Sequence, residues 1–460
     1  MLRLRSTKPS YFRQLPLLKK MFWAYFALLI FEGALRKWIV PQLTAPLLLL
    51  RDPLAVAIIW QAYRDQKWPR RWAVPITIVV VMIGLLFGLQ VVFVNVPYFV
   101  EIYGLRSYLV TYPLAFILAE NIDEEDLKKL AQFTLAVMVP MTLLYIGQYL
   151  SPPGGILNKG ASEGAVQLNY SGGHVRASGT FSYVVGPINY GVLATAFAFY
   201  GFVKPGFVKA RTLWLAGVCL IVGIPLIGSR TLVVESVAVI LCMIGSSMLG
   251  VSQFFKTMKL LVPLLVLAVL ASLLPVFNQA SDTLVQRFSE ANNAEGGGTE
   301  STFYSRVFLP VVAPFEDADY SSPLGMGMGY GAAAVQTLVS GTQYFVVGET
   351  ELFREVNELG WVVGIALSMF KLMLTAFLIR TALMTAQEGE PLPVLLLTAT
   401  VSNLWFAVQE QPTEQGFMVL GLGMSLAAGR IAMGRIRYKL YPRIVPRGDQ
   451  RPASRALVTP

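Results

Sequence analysis

Apolar runs of about twenty residues, separated by short polar turns, recur along nearly the whole chain. Each run is long enough to carry a helix through the hydrocarbon core of a bilayer, where no backbone group can go unpaired. The pattern predicts twelve spans, near 17–35, 44–62, 73–94, 98–119, 129–150, 182–203, 212–228, 231–250, 258–277, 357–379, 391–408 and 416–433. Two long polar segments interrupt it, 151–180 and 278–356, the second opening on a low-complexity stretch from Glu290 to Glu300. No repeat of sequence marks the two halves of an inverted transporter.

Composition agrees. Of 460 residues 55% are hydrophobic and only 14% charged, against about a quarter charged in soluble domains, so water is not the main solvent. The chain reads as one transmembrane domain, 17–433, with a short segment before it, 1–16, and a basic tail after it, 434–460. The basic N-terminus and first apolar run resemble a signal peptide without a small-residue cleavage site, which predicts an uncleaved first span.

The net charge of +10 would suggest nucleic acid for a soluble protein. Here, however, 26 of the 37 Lys and Arg residues fall in the turns and tails on one side of the predicted spans. That excess assigns the side, and both termini, to the cytoplasm, and puts segments 151–180 and 278–356 outside. The tail from Arg435 could also meet anionic headgroups. Cys219 and Cys242 lie singly in apolar runs and offer neither a disulfide framework nor a metal site.

Ionisable groups in or beside spans are costly and therefore informative. Arg51 and Asp52 sit inside the second predicted span with Pro53 behind them, suited to a local pair or the cap of a broken helix. Glu101 and Arg106 flank Tyr103 and Gly104 at the outward start of the fourth, followed by Tyr108 and Tyr112. Arg176 follows the only histidine, His174, where a phosphate would meet the membrane surface; His174 more plausibly lines the outer loop than catalyses. Arg230, in the turn Gly228-Ser229-Arg230-Thr231, either pairs with Glu235 or grips an anion through its planar fork. Further on come Ser305-Arg306, then Pro323-Leu324-Gly325-Met326-Gly327-Met328-Gly329, which reads as a tight turn or close helix approach. Last is the acidic stretch Glu349, Glu351, Glu355, Glu358 ahead of Gly360. Carboxylates near arginines suit an acid or base above an anion site.

In this order the pieces Arg176 to Tyr190, Gly228 to Thr231, Ser305-Arg306 with Pro323 to Gly327, and Glu358-Leu359-Gly360 resemble the O-antigen ligase and O-antigen polymerase superfamily of membrane glycosyltransferases. The resemblance spans roughly residues 150–435; before that it is mainly one of topology. It implies an all-α, polytopic, GT-C-like protein of the bacterial inner membrane with its site facing the periplasm and a large late outer loop. It implies transfer of a glycan from a polyprenyl diphosphate carrier without cofactor, metal or nucleotide sugar. The acceptor would be a growing lipid-linked polysaccharide in a polymerase, or another acceptor in a ligase. Arg230 takes the diphosphate-binding role, with Arg176 and Arg306 as supporting outer-face arginines; Arg106 and His174 are candidates for substrate contact from their positions beside the spans. The family's ligase histidine falls on Glu349, which favours the polymerase and makes Glu349, or failing it Glu351, the base. Direct displacement then inverts the anomeric centre. Partners are the lipid-linked oligosaccharide, the bilayer, and export or chain-length-control proteins, with no nucleic acid. A lipid-linked glycan transporter is the rival of a different class.

Overall fold

The computed structural model describes residues 11–94, 96–161, 174–248, 266–267, 269–294, 312, 322–332 and 351–440. The regular elements among them are all helical. In chain order the main helices are α1 (Leu17–Ala34), α2 (Thr44–Leu48), α3 (Arg51–Arg64), α4 (Ala73–Phe93), α5 (Tyr98–Asn121), α6 (Glu124–Leu150) and α7 (Val185–Val203). They continue with α8 (Ala210–Ile227), α9 (Arg230–Met248), α10 (Pro275–Ala294), α11 (Glu351–Gln387), α12 (Leu392–Trp405) and α13 (Pro412–Leu440). Seven of the described helices, α4, α5, α6, α8, α9, α11 and α13, are long and apolar enough to cross a membrane. The chain is an all-α, multi-pass membrane protein.

Burial separates inner helices from outer ones. The most apolar window of α13 is 83% buried and that of α4 only 28%. α4 turns Ile76, Val79, Ile83, Leu86 and Gln90 inward and leaves Val74, Ile78, Val81, Leu85 and Val92 exposed, an apolar outer face suited to lipid tails. Polar contacts gather the connections at two ends. At one, Lys19 pairs with Asp123 at 2.5 Å, Lys204 with Glu390 at 2.5 Å, and Arg435 with Glu390 at 2.9 Å. At the other, Arg36 donates to Ser182 Oγ at 2.9 Å and the Trp38 indole to the Ile156 carbonyl at 2.9 Å.

Three expectations change. The span expected at 44–62 is broken: α2 ends at Leu48 and α3 starts at Arg51, with Pro53 in its first turn, where proline's missing N–H costs nothing. The break lets Arg51 and Asp52 reach different helices instead of each other. The span expected at 258–277 falls mostly outside the described residues, and from Pro275 the chain forms the amphipathic helix α10, which continues to Ala294 into the stretch read as low complexity. The span expected at 357–379 belongs to α11, which folds back on itself at Gly360 (φ 73°, ψ 163°). In a continuous helix Glu355 and Lys371 would stand about 24 Å apart, yet they pair at 2.5 Å. Positive φ at this junction is glycine's province.

The segment 322–332 is wedged against this hairpin, as its close-approach reading anticipated. Gly325, Gly327 and Gly329 all have positive φ, and Gly329 packs backbone to backbone on Gly104 of α5. Gln90 of α4 fastens the wedge: its amide donates to the carbonyls of Leu324 (2.6 Å) and Glu358 (2.7 Å) and accepts from the Met328 N–H (3.1 Å). Gln90→Leu, similar in size, leaves those backbone groups unfilled at about 1–3 kcal/mol each. The expected result is a lower melting temperature and protease cleavage within 322–332; an unchanged melt would show that the wedge is held by other contacts.

Candidate functional site

The break before α3, the hairpin of α11 and the connection Phe406–Gln411 bring ionisable side chains into contact inside the bundle. Arg51 Nε donates to Glu32 at 2.8 Å, and Glu32 also pairs with Arg36 at 3.5 Å. Asp52 pairs with Arg106 at 3.0 Å, and Arg106 donates to the Glu410 carbonyl at 2.8 Å while lying 4.2 Å from the Tyr103 ring centre. Arg354 donates to Glu351 at 2.8 and 3.1 Å and to Glu358 at 2.6 Å, beneath the Tyr108 ring. Tyr108 donates to Glu358 at 2.9 Å, and Lys371 closes the series on Glu355. Such buried ions are sustainable only because each has an opposite charge or hydrogen-bond partner.

A second grouping surrounds the segment after His174. Lys37, in the π-helical turn Leu35–Ile39, is 1% exposed and donates to Ser178 Oγ at 2.6 Å and the Gly179 carbonyl at 3.3 Å. Gln148 of α6 fixes the same peptide, accepting from the Gly179 N–H at 2.7 Å. The Ala177 N–H donates to the Leu226 carbonyl at 3.4 Å, which sets the Arg176 segment against the turn leading to Arg230. Arg287 of α10 donates to the Gly228 carbonyl in that turn at 2.6 Å. The segment carrying Arg176, the turn before Arg230 and Arg287 of α10 therefore meet, with Lys37 bonded to the first of them.

The residues singled out from sequence divide accordingly. Arg176 is buried within this basic grouping and Arg230 opens α9 at its edge. His174 stacks on Tyr149 at 4.2 Å and bonds its carbonyl at 3.1 Å, a loop-lining position. Arg106 is engaged by Asp52 and the Glu410 carbonyl, within the first grouping. Glu351 is fully buried, with one oxygen on Arg354 and the other shared between Arg354 and the Gln409 N–H (2.9 Å). Arg306 and Glu349 lie outside the described residues. Glu235 meets Ser402 of α12. Among the described residues no group of three or more His, Cys, Asp and Glu is placed to hold a metal ion.

Sequence reasoning passed over Glu32, Lys37, Lys371, Glu410 and Glu414. Each is a charged residue within or immediately beside an apolar run, which is the signal that could have found them. A shallow hollow lined by Lys19, Phe22, Trp23 and Asp126 lies at the opposite end and touches neither grouping.

Lys37 meets neutral oxygens, Ser178 Oγ and the Gly179 carbonyl. Burial, reinforced by Arg36 beside it, pushes its amine down to about 7 from the ordinary 10.5. The unfolded chain then binds more protons than the folded one between those values, so the cost of the buried cation is full below pH 7 and relieved as pH rises. Relative to Lys37→Met, the protein should gain up to about 1.4 kcal/mol per pH unit across that window. Melting curves of both proteins from pH 7 to 10 check this, and parallel curves would count against a buried Lys37.

Comparison of the chain with family models and with characterised proteins gives no match.

Proposed function

We propose that this chain transfers a glycan from a polyprenyl diphosphate carrier to a growing lipid-linked polysaccharide, as an O-antigen or exopolysaccharide polymerase. What carries the reading is the meeting of the Arg176 segment with the turn before Arg230, with Lys37 bonded to that segment and a carboxylate-rich hairpin in α11. A basic end suits the leaving diphosphate, whose charge grows in the transition state and is best met by fixed cations in a partly dry site. An acidic end suits removal of the acceptor's proton.

In this reading the protein has twelve spans and a GT-C-like arrangement, both termini are cytoplasmic, and the site faces the periplasm of a bacterial inner membrane. The Lys and Arg asymmetry supports that orientation. Transfer is metal-independent and inverting. Arg230 and Arg176 hold the diphosphate with Arg306; Arg106 and His174 border the substrate. Glu349 is the base that the family resemblance nominates. A ligase using another acceptor shares all of this except the second substrate.

The broken helices favour a second reading, a lipid-linked glycan transporter, because discontinuous helices commonly build transporter sites. Purified protein in lipid vesicles, given a polyprenyl diphosphate oligosaccharide and no nucleotide sugar, separates the two. A ladder of masses spaced by whole repeats, with release of polyprenyl diphosphate, is expected. Unchanged substrate that crosses the bilayer would establish the transporter instead.

A further inference from the structure

The connection Phe406–Gln411 between α12 and α13 is fixed on both sides of Glu410. Arg106 holds the Glu410 carbonyl, the Gln409 N–H is bound to Glu351 at 2.9 Å, and the Gln411 N–H donates to the Val408 carbonyl at 2.9 Å. Glu410 itself is 3% exposed. Yet the guanidiniums nearest it are turned to other carboxylates, Arg106 to Asp52 and Arg354 to Glu351 and Glu358. Among the described residues no ion pair or hydrogen bond reaches the Glu410 carboxylate. Near it in sequence are Gln409, whose Nε2 faces the Tyr112 hydroxyl without closing a hydrogen bond, and Glu414, whose carboxylate is approached by the Val408 N–H while Oε2 stays unfilled, both on side chains more than nine-tenths buried. A buried carboxylate without a partner is costly unless a ligand completes it, and a sugar hydroxyl can both donate and accept.

We propose that Glu410 is the general base of the transfer, and that Gln409 and Glu414 hold the acceptor sugar whose hydroxyl it deprotonates. The inference rests on the glycan-transfer reading and moves the base from the 349–351 stretch to the α12–α13 connection. The acceptor O–H bond breaks as its proton passes to Glu410. The oxygen's electron pair forms the new bond to the donor's anomeric carbon. The bond from that carbon to the diphosphate oxygen breaks, its electron pair departing on polyprenyl diphosphate, and the proton on Glu410 then passes to water.

Burial, opposed by Arg354 and Arg106 and reinforced by Glu358 and Glu351, pushes the Glu410 carboxyl up to about 8. Asp52 and Glu414 are the other charged groups on the elements packed around it. Transfer by the unmodified protein should therefore rise with pH through about 8.

Two measurements in the vesicle assay test the proposal: the wild-type pH profile and Glu410→Gln. E410Q should lose about 10²–10⁴-fold in rate while still binding the polyprenyl diphosphate substrate. Transfer by E410Q within about tenfold of wild type would overturn the assignment of the base. A wild-type rate that is flat from about pH 6.5 to 9 would do so without any variant. No transfer by wild type at any pH would instead sink the glycan-transfer reading itself.

Discussion

Arg354→Met is expected to destabilise the protein by about 3–5 kcal/mol, because it leaves buried carboxylates without their counter-charge. Arg354 is 2% exposed, and both carboxylates that it joins are fully buried. Those two carboxylates also receive the Gly331 N–H at 2.9 Å, the Tyr108 hydroxyl and the Gln409 N–H. One guanidinium thus ties the α11 hairpin to α5, to the glycine wedge and to the α12–α13 connection. Thermal unfolding in detergent, followed by circular dichroism, checks the size of the loss. The triple change Arg354→Met, Glu351→Gln, Glu358→Gln removes the uncompensated charges and should recover part of it. A single R354M variant that melts within about 1 kcal/mol of wild type would mean that water or lipid headgroups reach the site and screen it.

Under the proposed glycan transfer, Arg230→Ala is expected to reduce both substrate binding and transfer, the latter by about 10²–10³-fold, the scale seen when one fixed donor to a developing anion is removed. Arg230 opens α9 and is only half-buried, so its loss should not disturb folding as Arg354's would. Lysine at this position keeps the charge without the planar fork and should restore only part of the activity. Titration with the polyprenyl diphosphate substrate, alongside the vesicle assay, separates binding from turnover. Full activity in stably inserted R230A would remove this arginine from the site.

The apolar periodicity made much of the scaffold readable. The runs read as 73–94, 98–119 and 212–228 became α4, α5 and α8 within a few residues. Where the reading failed, a polar side chain had a partner far away in sequence. An apolar window cannot know that Arg51 will meet Glu32 and Asp52 will meet Arg106, so the break at residues 49–50 was legible only as one of two alternatives for that pair. The α11 hairpin was hidden for the same reason, since Gly360 looks like any glycine near a helix start until Lys371 finds Glu355. Arg176 and Arg230 drew notice because they flank apolar runs. Lys37, Lys371 and Glu410 did not, because their neighbours made them look like topology signals or interruptions of apolar runs.

The wedge at 322–332 bears on how such a chain is made. Gln90 meets its three backbone partners 234, 238 and 268 positions later, and Gln415 of α13 meets Thr111 of α5 across 304. Synthesis runs from the N-terminus, so α4 and α5 leave the ribosome long before the groups that complete them have been translated. Until then Gln90, Arg106 and Tyr108 must be accommodated by the insertion machinery, by water or by temporary neighbours. The bundle is therefore finished from its last third backward, and premature termination would strand the earliest helices with their most polar side chains unanswered.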